Sequence, residues 1–578
     1  MSKWMVAAKK ADFYAIAQQY HISPVLARII RNRDVIDNAD IDKFLSGTRK
    51  DLYAPDLLKD MDKSVVILMD KIAQKKHIRI IGDYDIDGVC STYILFKGLR
   101  HCGAIVDTAI PHRMKDGYGL NEHLIQEAYE AGADTVLTCD NGIAAFEQVE
   151  YANKLGMTVV ITDHHEVPYE EADGVRNYRI PPAVAVVDPK QQDCPYPFPE
   201  ICGAVVAYKL VLALTARMQR VKWQQVMESE MGLELLEFAA FATIGDVMEL
   251  RDENRIIVKE GLELMKHTRN TGLEALIWAT GTDPEHIKPY TIGFVLGPCL
   301  NATGRLDTAD HALALFEAED TAEAARIAGN LKDMNDSRKE LTLAGVEEAI
   351  AQIEGSNLAK DDVLVVYLPE VHESLAGIIA GRIREKYNKP AFVLTRAEEG
   401  VKGSGRSIDA FHMYDEMTKC KQLFTKYGGH KLAAGVSMPE EHVELFRKRL
   451  NELCTLTEQD LTEVIHIDMA LPFSYVSERL TEELSLLEPF GKGNTKPIFA
   501  ARNVRVLESR VLGKNQNVLR MKLMDESGTA MEGIYFRNCM QEVLRDLQDK
   551  KTIHILYYPE INEFRGRRSL QLRIQGYC

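Results

Sequence analysis

Three short segments in the N-terminal half of the chain combine aspartate and histidine at a spacing that could hold metal ions. The residues are Asp83, Asp85 and Asp87 in GDYDIDG, Asp140 in TCDNG, and Asp163, His164 and His165 in TDHHE. Carboxylates this close repel one another, and a cation between them removes that repulsion. Oxygen and imidazole ligands without cysteine suit Mn²⁺ or Mg²⁺, and the number of carboxylates favours two ions. A pair of such ions can promote phosphodiester hydrolysis.

Each of these segments follows an apolar run that predicts a buried β-strand, namely HIRII, TVLTC and TVVIT. Helical patterns such as NEHLIQEAYEAG separate several of the strands, and this alternation predicts a parallel sheet with helices on both faces. The carboxyl ends of parallel strands meet at one edge, where ligands of such sheets bind. We therefore expect the acidic residues that follow these strands to converge there. A further aspartate, Asp246 in ATIGDVMEL, ends a helical pattern later in the chain. Asp188, which precedes a proline after the strand AVAVV, is predicted to be a turn residue.

Other interpretations of these aspartates are open to test. Their spacing also matches the start of an EF-hand calcium loop, but the twelfth position is Ile94 rather than glutamate, and a strand pattern precedes the loop. A single aspartate after a strand is commonly a helix cap. The occurrence of three such segments in order, each at a strand end, favours a metal site over these alternatives.

The 578 residues are enough for several domains. We predict an α/β fold in five segments: a helical extension over 1–58, a parallel-sheet domain over 59–318, a long connecting helix over 319–354, a second α/β domain over 355–457, and a small β-barrel over 458–578. The connecting helix is predicted from an apolar stripe at helical spacing, Ala324, Ile327, Ala328 and Leu331. The barrel is predicted from short strands separated by turn residues.

The formal net charge of −16 argues against non-specific binding of nucleic acid. Residues 501–578 nevertheless carry 14 Lys and Arg against 9 Asp and Glu, a local excess that is compatible with a nucleic-acid partner. The sequence has no run of about 18 apolar residues, so no membrane helix is predicted. Its ten cysteines are scattered without a CxxC pair, and its N-terminus lacks a signal-peptide core. We therefore expect reduced thiols and a cytoplasmic location.

Eight motifs in the order found here resemble those of the DHH phosphoesterase family. They are GDYDIDG, TCDNG, TDHHE, IGDVMEL, LNATGRLDTA, HESLAGIIAGRI, GSGRS and GGHKLAAG, which together span about 350 residues. The resemblance implies that the metal ligands are Asp83, Asp85, Asp140, His164, His165 and Asp246. It implies that Asp163 supports these ligands, and it leaves the role of Asp87 open. The six ligands and Asp163 are therefore expected to be catalytic residues.

The second α/β domain resembles the DHHA1 domain of that family. On this resemblance, Ser404 and Arg406 in GSGRS and His430 in GGHKLAAG are predicted to bind phosphate in glycine-rich turns. Arg305 and His372 are likewise predicted substrate contacts. Without the resemblance, either glycine-rich segment could equally be an ordinary turn. The barrel resembles an oligonucleotide-binding (OB) fold, and its candidate contacts to a single strand are Arg520, Lys522, Tyr535, Phe536, Arg537, Arg565, Arg567 and Arg568. Aromatic residues interleaved in a β-barrel are just as often part of its core.

The resemblance implies a metal-dependent exonuclease that is specific for single-stranded DNA. The expected direction is 5′→3′, the product is mononucleotides, and the role is recombinational and mismatch repair. A single-stranded-DNA-binding protein and a helicase are the expected partners. One alternative is a phosphoesterase for short oligonucleotides or dinucleotides, which the additional domains disfavour. Arg79 also disfavours a pyrophosphatase, because such relatives carry histidine four residues before the first aspartate. The other alternative is a non-enzymatic scaffold, which the complete set of usable ligands disfavours.

Overall fold

The computed structural model describes residues 2–113, 119–172, 174–513, 515–537, 540–548, 550–564 and 566–578. The strands are β1 (Lys3–Val6), β2 (His77–Ile81), β3 (Ile105–Ala109), β4 (Thr135–Cys139), β5 (Thr158–Thr162), β6 (Tyr169–Ala172), β7 (Val175–Tyr178), β8 (Ala185–Val187), β9 (Leu364–Tyr367), β10 (Ala391–Arg396), β11 (Val401–Arg406), β12 (Lys426–Gly429), β13 (Ala433–Met438), β14 (Val464–Ile467), β15 (Met469–Ala470), β16 (Phe499–Leu512), β17 (Val518–Met524), β18 (Ala530–Phe536), β19 (Ile553–Phe564) and β20 (Arg567–Tyr577).

The helices are α1 (Phe13–Tyr20), α2 (Pro24–Asn32), α3 (Asn38–Ser46), α4 (Met61–Ala73), α5 (Ile86–His101), α6 (Glu122–Glu130), α7 (Phe146–Lys154), α8 (Gly203–Gln219), α9 (Trp223–Met227), α10 (Glu230–Gly245), α11 (Asp252–Met265), α12 (Thr271–Ala279), α13 (Pro289–Thr291), α14 (Gly297–Leu306), α15 (Asp310–Glu317), α16 (Thr321–Glu354), α17 (Ala376–Tyr387), α18 (Met413–Thr418), α19 (Val443–Glu452), α20 (Glu478–Leu484) and α21 (Met540–Gln548). None of the helices in the described part of the chain has the length and apolar character needed to cross a membrane.

The first compact unit comprises Tyr53–Met248 and Glu260–Glu463. Its N-terminal part is built on a five-stranded parallel sheet in the order β3-β2-β4-β5-β8. Helices α6 and α7 pack on one face of this sheet, and α5 and α8 contact the strands from the other. Every residue of the central strand β4 is buried as a result. The predicted parallel sheet with two covered faces is therefore confirmed.

The second α/β part of this unit follows the 34-residue helix α16, which begins at an Asp320 cap. Its five-stranded sheet has the order β12-β13-β11-β10-β9, with β9 and β10 parallel and the other neighbours antiparallel. Helix α17 packs against β10 and β11. The long connecting helix and the second α/β domain are therefore present as predicted.

The second compact unit is discontinuous and comprises Ser2–Leu52, Glu249–Lys259 and Val464–Cys578. Strands β16, β17, β18, β20 and β19 are neighbours in that order, and β19 pairs back onto β16, so the sheet curls round on itself. The predicted separate helical extension over 1–58 is corrected in two respects. The chain opens with the strand β1, which pairs in parallel with β14. Apolar side chains of the N-terminal helices, such as Leu26 and Ile29, share one core with Phe499 and Tyr557 of the curled sheet.

Candidate active site

The parallel sheet of the first unit brings the predicted metal ligands to one edge. Strands β2, β4 and β5 are neighbours with the same direction, so the residues that follow them lie side by side. Asp83 and Asp85 follow β2, Asp140 follows β4, and residues 163–165 follow β5. Asp246 reaches the same place from the C-terminal cap of α10. We call these side chains, together with that of Asp87, the metal cluster.

The His164 imidazole contacts carboxylates from three different segments. Its Nε2 atom is 3.0 Å from Oδ1 of Asp140 and 3.5 Å from Oδ2 of Asp87. The same nitrogen is 3.9 Å from Oδ2 of Asp246. Three groups have ligand atoms within 4.8 Å of one another: Asp83 with Asp85 and Asp140, Asp140 with His164 and His165, and Asp87 with His164 and Asp246. Asp140 and His164 each belong to two of these groups, as expected of residues that lie between two neighbouring ions.

The electrostatics of the metal cluster fit divalent cations. Burial raises the pKa of Asp83 to about 8, and the neighbouring Asp85 carboxylate adds to the effect. Burial and then nearby carboxylates also raise the pKa values of Asp85 and Asp140. Oδ1 of Asp83 is buried without a hydrogen-bond partner among the described residues. An ion would supply both the positive charge and the ligand bonds that this set of oxygen and nitrogen atoms lacks.

Asp163 orients the residues of the TDHHE segment from behind. Its Oδ1 accepts hydrogen bonds from the backbone N–H of His164 and from Nδ1 of His165, each at 2.7 Å. Its Oδ2 accepts a hydrogen bond from the N–H of Ile143 at 2.8 Å. Burial alone would raise the pKa of Asp163, but the hydrogen bond and charge of His165 outweigh burial and leave that pKa lowered. The carboxylate therefore fixes the orientation and tautomer of the His165 ring, as carboxylates behind histidine ligands commonly do.

Asp87, whose role the sequence left open, is anchored to the first turn of α8. Its two carboxylate oxygens accept hydrogen bonds from the N–H groups of Gly203, at 2.7 Å, and Ala204, at 2.8 Å. A Cβ at Gly203 would lie only 2.8 Å from Cβ of Asp140, so glycine allows this close approach. The helix N-terminus thus stabilises the third carboxylate of GDYDIDG beside His164.

Two other charged residues near the metal cluster have structural roles. Arg79 forms a two-pronged ion pair with Asp107 on the adjacent strand β3, with Nε 2.9 Å from Oδ1. Asp188 accepts a hydrogen bond from the backbone N–H of Lys190 at 2.7 Å, as expected of a turn residue. Burial raises the pKa of Asp188 to about 7.

A cavity of about 530 Å³ in the first unit collects basic side chains from both α/β parts. Its lining includes Tyr84, Arg113, Arg305, Glu373, Ser374, Lys402, Ser404, Arg406, Lys426 and Tyr427. We call it the arginine pocket. Burial, together with the charges of Arg113, Arg338 and Arg406, lowers the pKa of Arg305 to about 10. Among the described lining residues, five side chains are positively charged and only that of Glu373 is negatively charged. This imbalance favours the binding of an anion such as phosphate.

The GSGRS segment lines the arginine pocket as part of a strand, which corrects the predicted turn. In β11, Lys402, Ser404 and Arg406 alternate and therefore share one face of the sheet. Gly403 and Gly405 point to the other face, where a Cβ at Gly403 would lie 2.1 Å from Leu394. These glycines are required by core packing, because no side chain fits beneath them.

The GGHKLAAG segment forms the hairpin of β12 and β13. Gly435 of β13 pairs with both Ser404 and Gly428, so bare backbone lies beside Ser404 in the arginine pocket. His430 lies in the exposed connection of this hairpin and does not line the pocket. His372 is also exposed, with Nδ1 2.7 Å from Oγ of Ser374.

Of the five predicted substrate contacts, Arg305, Ser404 and Arg406 line the arginine pocket, whereas His372 and His430 do not. Sequence reasoning missed Arg113, whose guanidinium lies 4.8 Å from the centre of the Tyr84 ring. Arg113 follows β3, so the rule that ligands bind at strand ends could have identified it.

The candidate contacts in the second unit have mixed environments. Tyr535 is only 7% exposed and belongs to the core, which corrects its assignment as a base-stacking residue. Phe536 is 45% exposed, and the Arg573 guanidinium lies 3.6 Å from its ring centre. Arg520 is paired with Glu532, and Arg568 with Glu563. The remaining exposed candidates are Lys522, Arg537 and Arg567. Arg565 lies outside the described residues.

Comparisons with known proteins give a consistent result. Family models match the chain as the DHH family N-terminal domain over 77–243, the DHHA1 domain over 360–456 and the RecJ OB domain over 467–576. The single-stranded-DNA-specific exonuclease RecJ of Bacillus subtilis (strain 168) is 35% identical, over 99% of this chain and 70% of its own length. The enzyme of the same name from Escherichia coli (strain K12) is 31% identical, over 96% of each chain.

Solved structures agree with the sequence comparisons. The crystal structure of RecJ from Thermus thermophilus in complex with Mn²⁺ superposes with a TM-score of 0.82 at 27% identity, over 100% of this chain and 79% of that one. A crystal structure of exonuclease RecJ bound to manganese covers 69% of this chain and 96% of its own, with a TM-score of 0.58 at 32% identity.

Proposed function

The chain belongs to the RecJ family of single-stranded-DNA-specific exonucleases, and we propose that it degrades single-stranded DNA from the 5′ end to mononucleotides. The cofactors are two Mn²⁺ or Mg²⁺ ions held by the metal cluster. When bound, such ions supply Lewis acidity and offset the negative charge that develops as a phosphodiester is hydrolysed. The assignment is carried by the presence, in one unit, of a carboxylate cluster that fits cations and a basic pocket that fits phosphate.

The residues of the metal cluster divide into ligands and supports. We assign Asp83, Asp85, Asp140, His164, His165 and Asp246 as ligands because their donor atoms converge from strand ends and a helix cap. Asp163 holds the His165 ring, and Asp87 ties the loop to α8. The supports therefore keep the ligand geometry in place when no ion is bound.

The arginine pocket holds the terminal phosphate of the strand. Arg305 and Arg406 present guanidinium groups, which match phosphate oxygens in geometry and charge. Ser404 adds a hydroxyl, and the backbone at Gly435 leaves room for close approach. A pocket that binds a chain end, rather than a groove open at both ends, is what an exonuclease needs to begin from a terminus. The 5′→3′ direction is taken from the family resemblance, and it corresponds to a 5′ phosphate in this pocket.

The biological setting is a further part of the proposal. Release of mononucleotides from single strands suits recombinational and mismatch repair. A helicase would supply the single strand, and a single-stranded-DNA-binding protein would keep it accessible. The nine described cysteines are all free thiols, which supports a cytoplasmic location. In the second unit, Lys522 and Phe536 remain candidate contacts to the strand.

A nuclease assay on strands labelled at either end, with Mn²⁺ or Mg²⁺ titrated, tests the proposal. We expect degradation from the 5′ end of single strands and no degradation of blunt duplex. Asp140→Ala should abolish activity while the circular dichroism spectrum stays unchanged. Faster cleavage of a dinucleotide than of a long strand would contradict the proposal, as would full activity of Asp140→Ala.

A further inference from the structure

Two aromatic side chains of the first unit are exposed as a stacked pair. The rings of Tyr290 and Phe294 have centroids 4.8 Å apart and planes inclined by 21°. Tyr290 is 69% exposed and Phe294 is 61% exposed, so neither belongs to the core. Residues four positions apart share one face of a helix, and stacking orders the two rings as a flat apolar surface. An exposed surface of this kind is typical of a binding site.

This aromatic pair lies on the same helical run as Arg305 of the arginine pocket. Residues 289–306 are helical throughout, as α13, an intervening wide turn over Ile292–Leu296, and α14. Phe294, Pro298, Asn301 and Arg305 are spaced by three or four residues, so they share one face of the helical run. None of these four residues is fully buried. At about 1.5 Å per residue, Phe294 lies about 16 Å from Arg305 along the helix. One face of the run therefore joins the aromatic pair to the arginine pocket.

The same run packs against the helix that carries Asp246. A Cβ at Gly293 would lie 4.0 Å from Cγ2 of Ile244, two residues before Asp246. Val247, which follows Asp246, is 60% exposed and has a φ of 57°, a left-handed backbone that β-branched residues rarely adopt. An exposed apolar side chain therefore stands next to a predicted metal ligand, and the helix that ends at this ligand packs against the run that carries Tyr290 and Phe294.

We propose that Tyr290 and Phe294 form a stacking platform for bases of the single strand beyond the bond that is cut. This inference rests on the proposed function, because it takes the terminal phosphate to lie in the arginine pocket. A strand that follows the helical run reaches Phe294 after about 16 Å. That length corresponds to about five nucleotides at the stacked spacing of ~3.4 Å, and to fewer in an extended strand. Every base has an aromatic face, so the platform holds the strand without regard to sequence.

Fluorescence of 2-aminopurine placed at the second to fifth nucleotide tests the platform directly. The labelled strand is bound in EDTA, where it is not consumed. Stacking should quench the probe at one or more of these positions in the wild-type protein. The double variant Tyr290→Ala/Phe294→Ala should lose that quenching and bind about 5- to 20-fold more weakly, the lower end of the range for loss of base stacking. Phe294→Trp should keep the quenching, whereas Phe294→Leu, which keeps apolar area without an aromatic ring, should not.

Two comparisons separate stacking from general damage to the protein. Tyr129→Ala removes an aromatic ring that is 47% exposed on α6 and should change neither signal nor affinity. An abasic site at the stacked position should weaken binding by the wild type and have little further effect on the double variant. Equal weakening of both proteins by the abasic site would overturn the platform, as would unchanged quenching in the double variant. A wild-type protein that neither binds nor degrades single strands would instead refute the proposed function itself.

Discussion

Replacing Asp87 by asparagine tests whether this residue stabilises the metal cluster through hydrogen bonds or binds the metal itself. Both carboxylate oxygens of Asp87 accept hydrogen bonds from the first turn of α8, at 2.7 Å from Gly203 and 2.8 Å from Ala204. Asparagine keeps the shape but has only one oxygen, so its NH₂ group must face one of the two N–H donors. The variant loses one hydrogen bond to a charged acceptor, worth about 1.5–3 kcal/mol. It also loses the favourable charge at a helix N-terminus, worth about 0.3–1 kcal/mol.

Loss of the negative charge also relieves repulsion within the cluster, and we place this opposing effect at about 1 kcal/mol. We therefore expect Asp87→Asn to lower the free energy of unfolding of the metal-free first unit by about 1–3 kcal/mol. For a unit of this size, that change lowers Tm by roughly 1–4 °C. The measurement is thermal unfolding in EDTA, followed by intrinsic fluorescence.

Asp85→Asn is the matched control. One oxygen of Asp85, Oδ1, accepts both hydrogen bonds, from the N–H groups of Asp87 and Gly88, and asparagine caps a helix about as well as aspartate. This variant keeps both hydrogen bonds, and the relief of repulsion opposes the loss of its charge at the N-terminus of α5, so its Tm in EDTA should fall less than that of Asp87→Asn. With Mn²⁺ added, Asp87→Asn should retain most of the increase in Tm that binding gives the wild type, and Asp85→Asn should lose it. A Tm of Asp87→Asn in EDTA at or above that of the wild type would refute the helix-anchor role.

Three further substitutions test other parts of the structure. Arg305→Ala should weaken binding of a 5′-phosphorylated strand about 10- to 100-fold, by loss of charged hydrogen bonds, and should abolish the preference over a 5′-hydroxyl strand in an anisotropy assay. Gly403→Ala should lower the stability of the first unit by about 1–3 kcal/mol in thermal unfolding, because its Cβ would lie 2.1 Å from Leu394. Gly428→Ala, with no atom within 4 Å of its Cβ, should leave stability unchanged, and equal losses in the two variants would contradict the packing argument. Arg255→Met should destabilise the second unit by about 3 kcal/mol or more in chemical unfolding, since the buried guanidinium donates to the carbonyls of residues 44 and 486–488. An unchanged midpoint would show that these hydrogen bonds add nothing.

The metal cluster was predictable because one physical rule links sequence to position. Strand ends of a parallel sheet share an edge, so acids that follow β2, β4 and β5 had to converge. Asp246 was placed there only by family resemblance, since nothing in its local pattern shows where the end of α10 lies. The arginine pocket was less accessible to sequence reasoning. It depends on the approach of two α/β parts that are far apart in sequence, which local patterns do not encode.

The differences between the predicted and the observed structure have several physical causes. Glycine occurs both in tight turns and where neighbouring side chains pack closely against the backbone. In GSGRS the glycines are explained by close packing, so the segment predicted as a turn is part of the strand β11. Alternation along β18 does not reveal which face is buried, so the sequence leaves Tyr535 as either a strand contact or a core residue, and the structure places it in the core with Leu519. Strand β1 was missed because its pairing partner, β14, lies more than 450 residues away.

The discontinuous second unit has a consequence for the timing of synthesis. Leu26, Ile29 and Ile30 of α2 belong to a core whose larger part is formed by residues that follow Val464. Between Leu52 and Val464 the ribosome must add about 410 residues, which takes about 20–80 s at the usual rate of translation. During that interval the first unit can complete its own fold, while the apolar face of α2 stays exposed to other nascent chains and to chaperones. The N-terminal helices are thus the first part of the protein to be made and among the last to be buried.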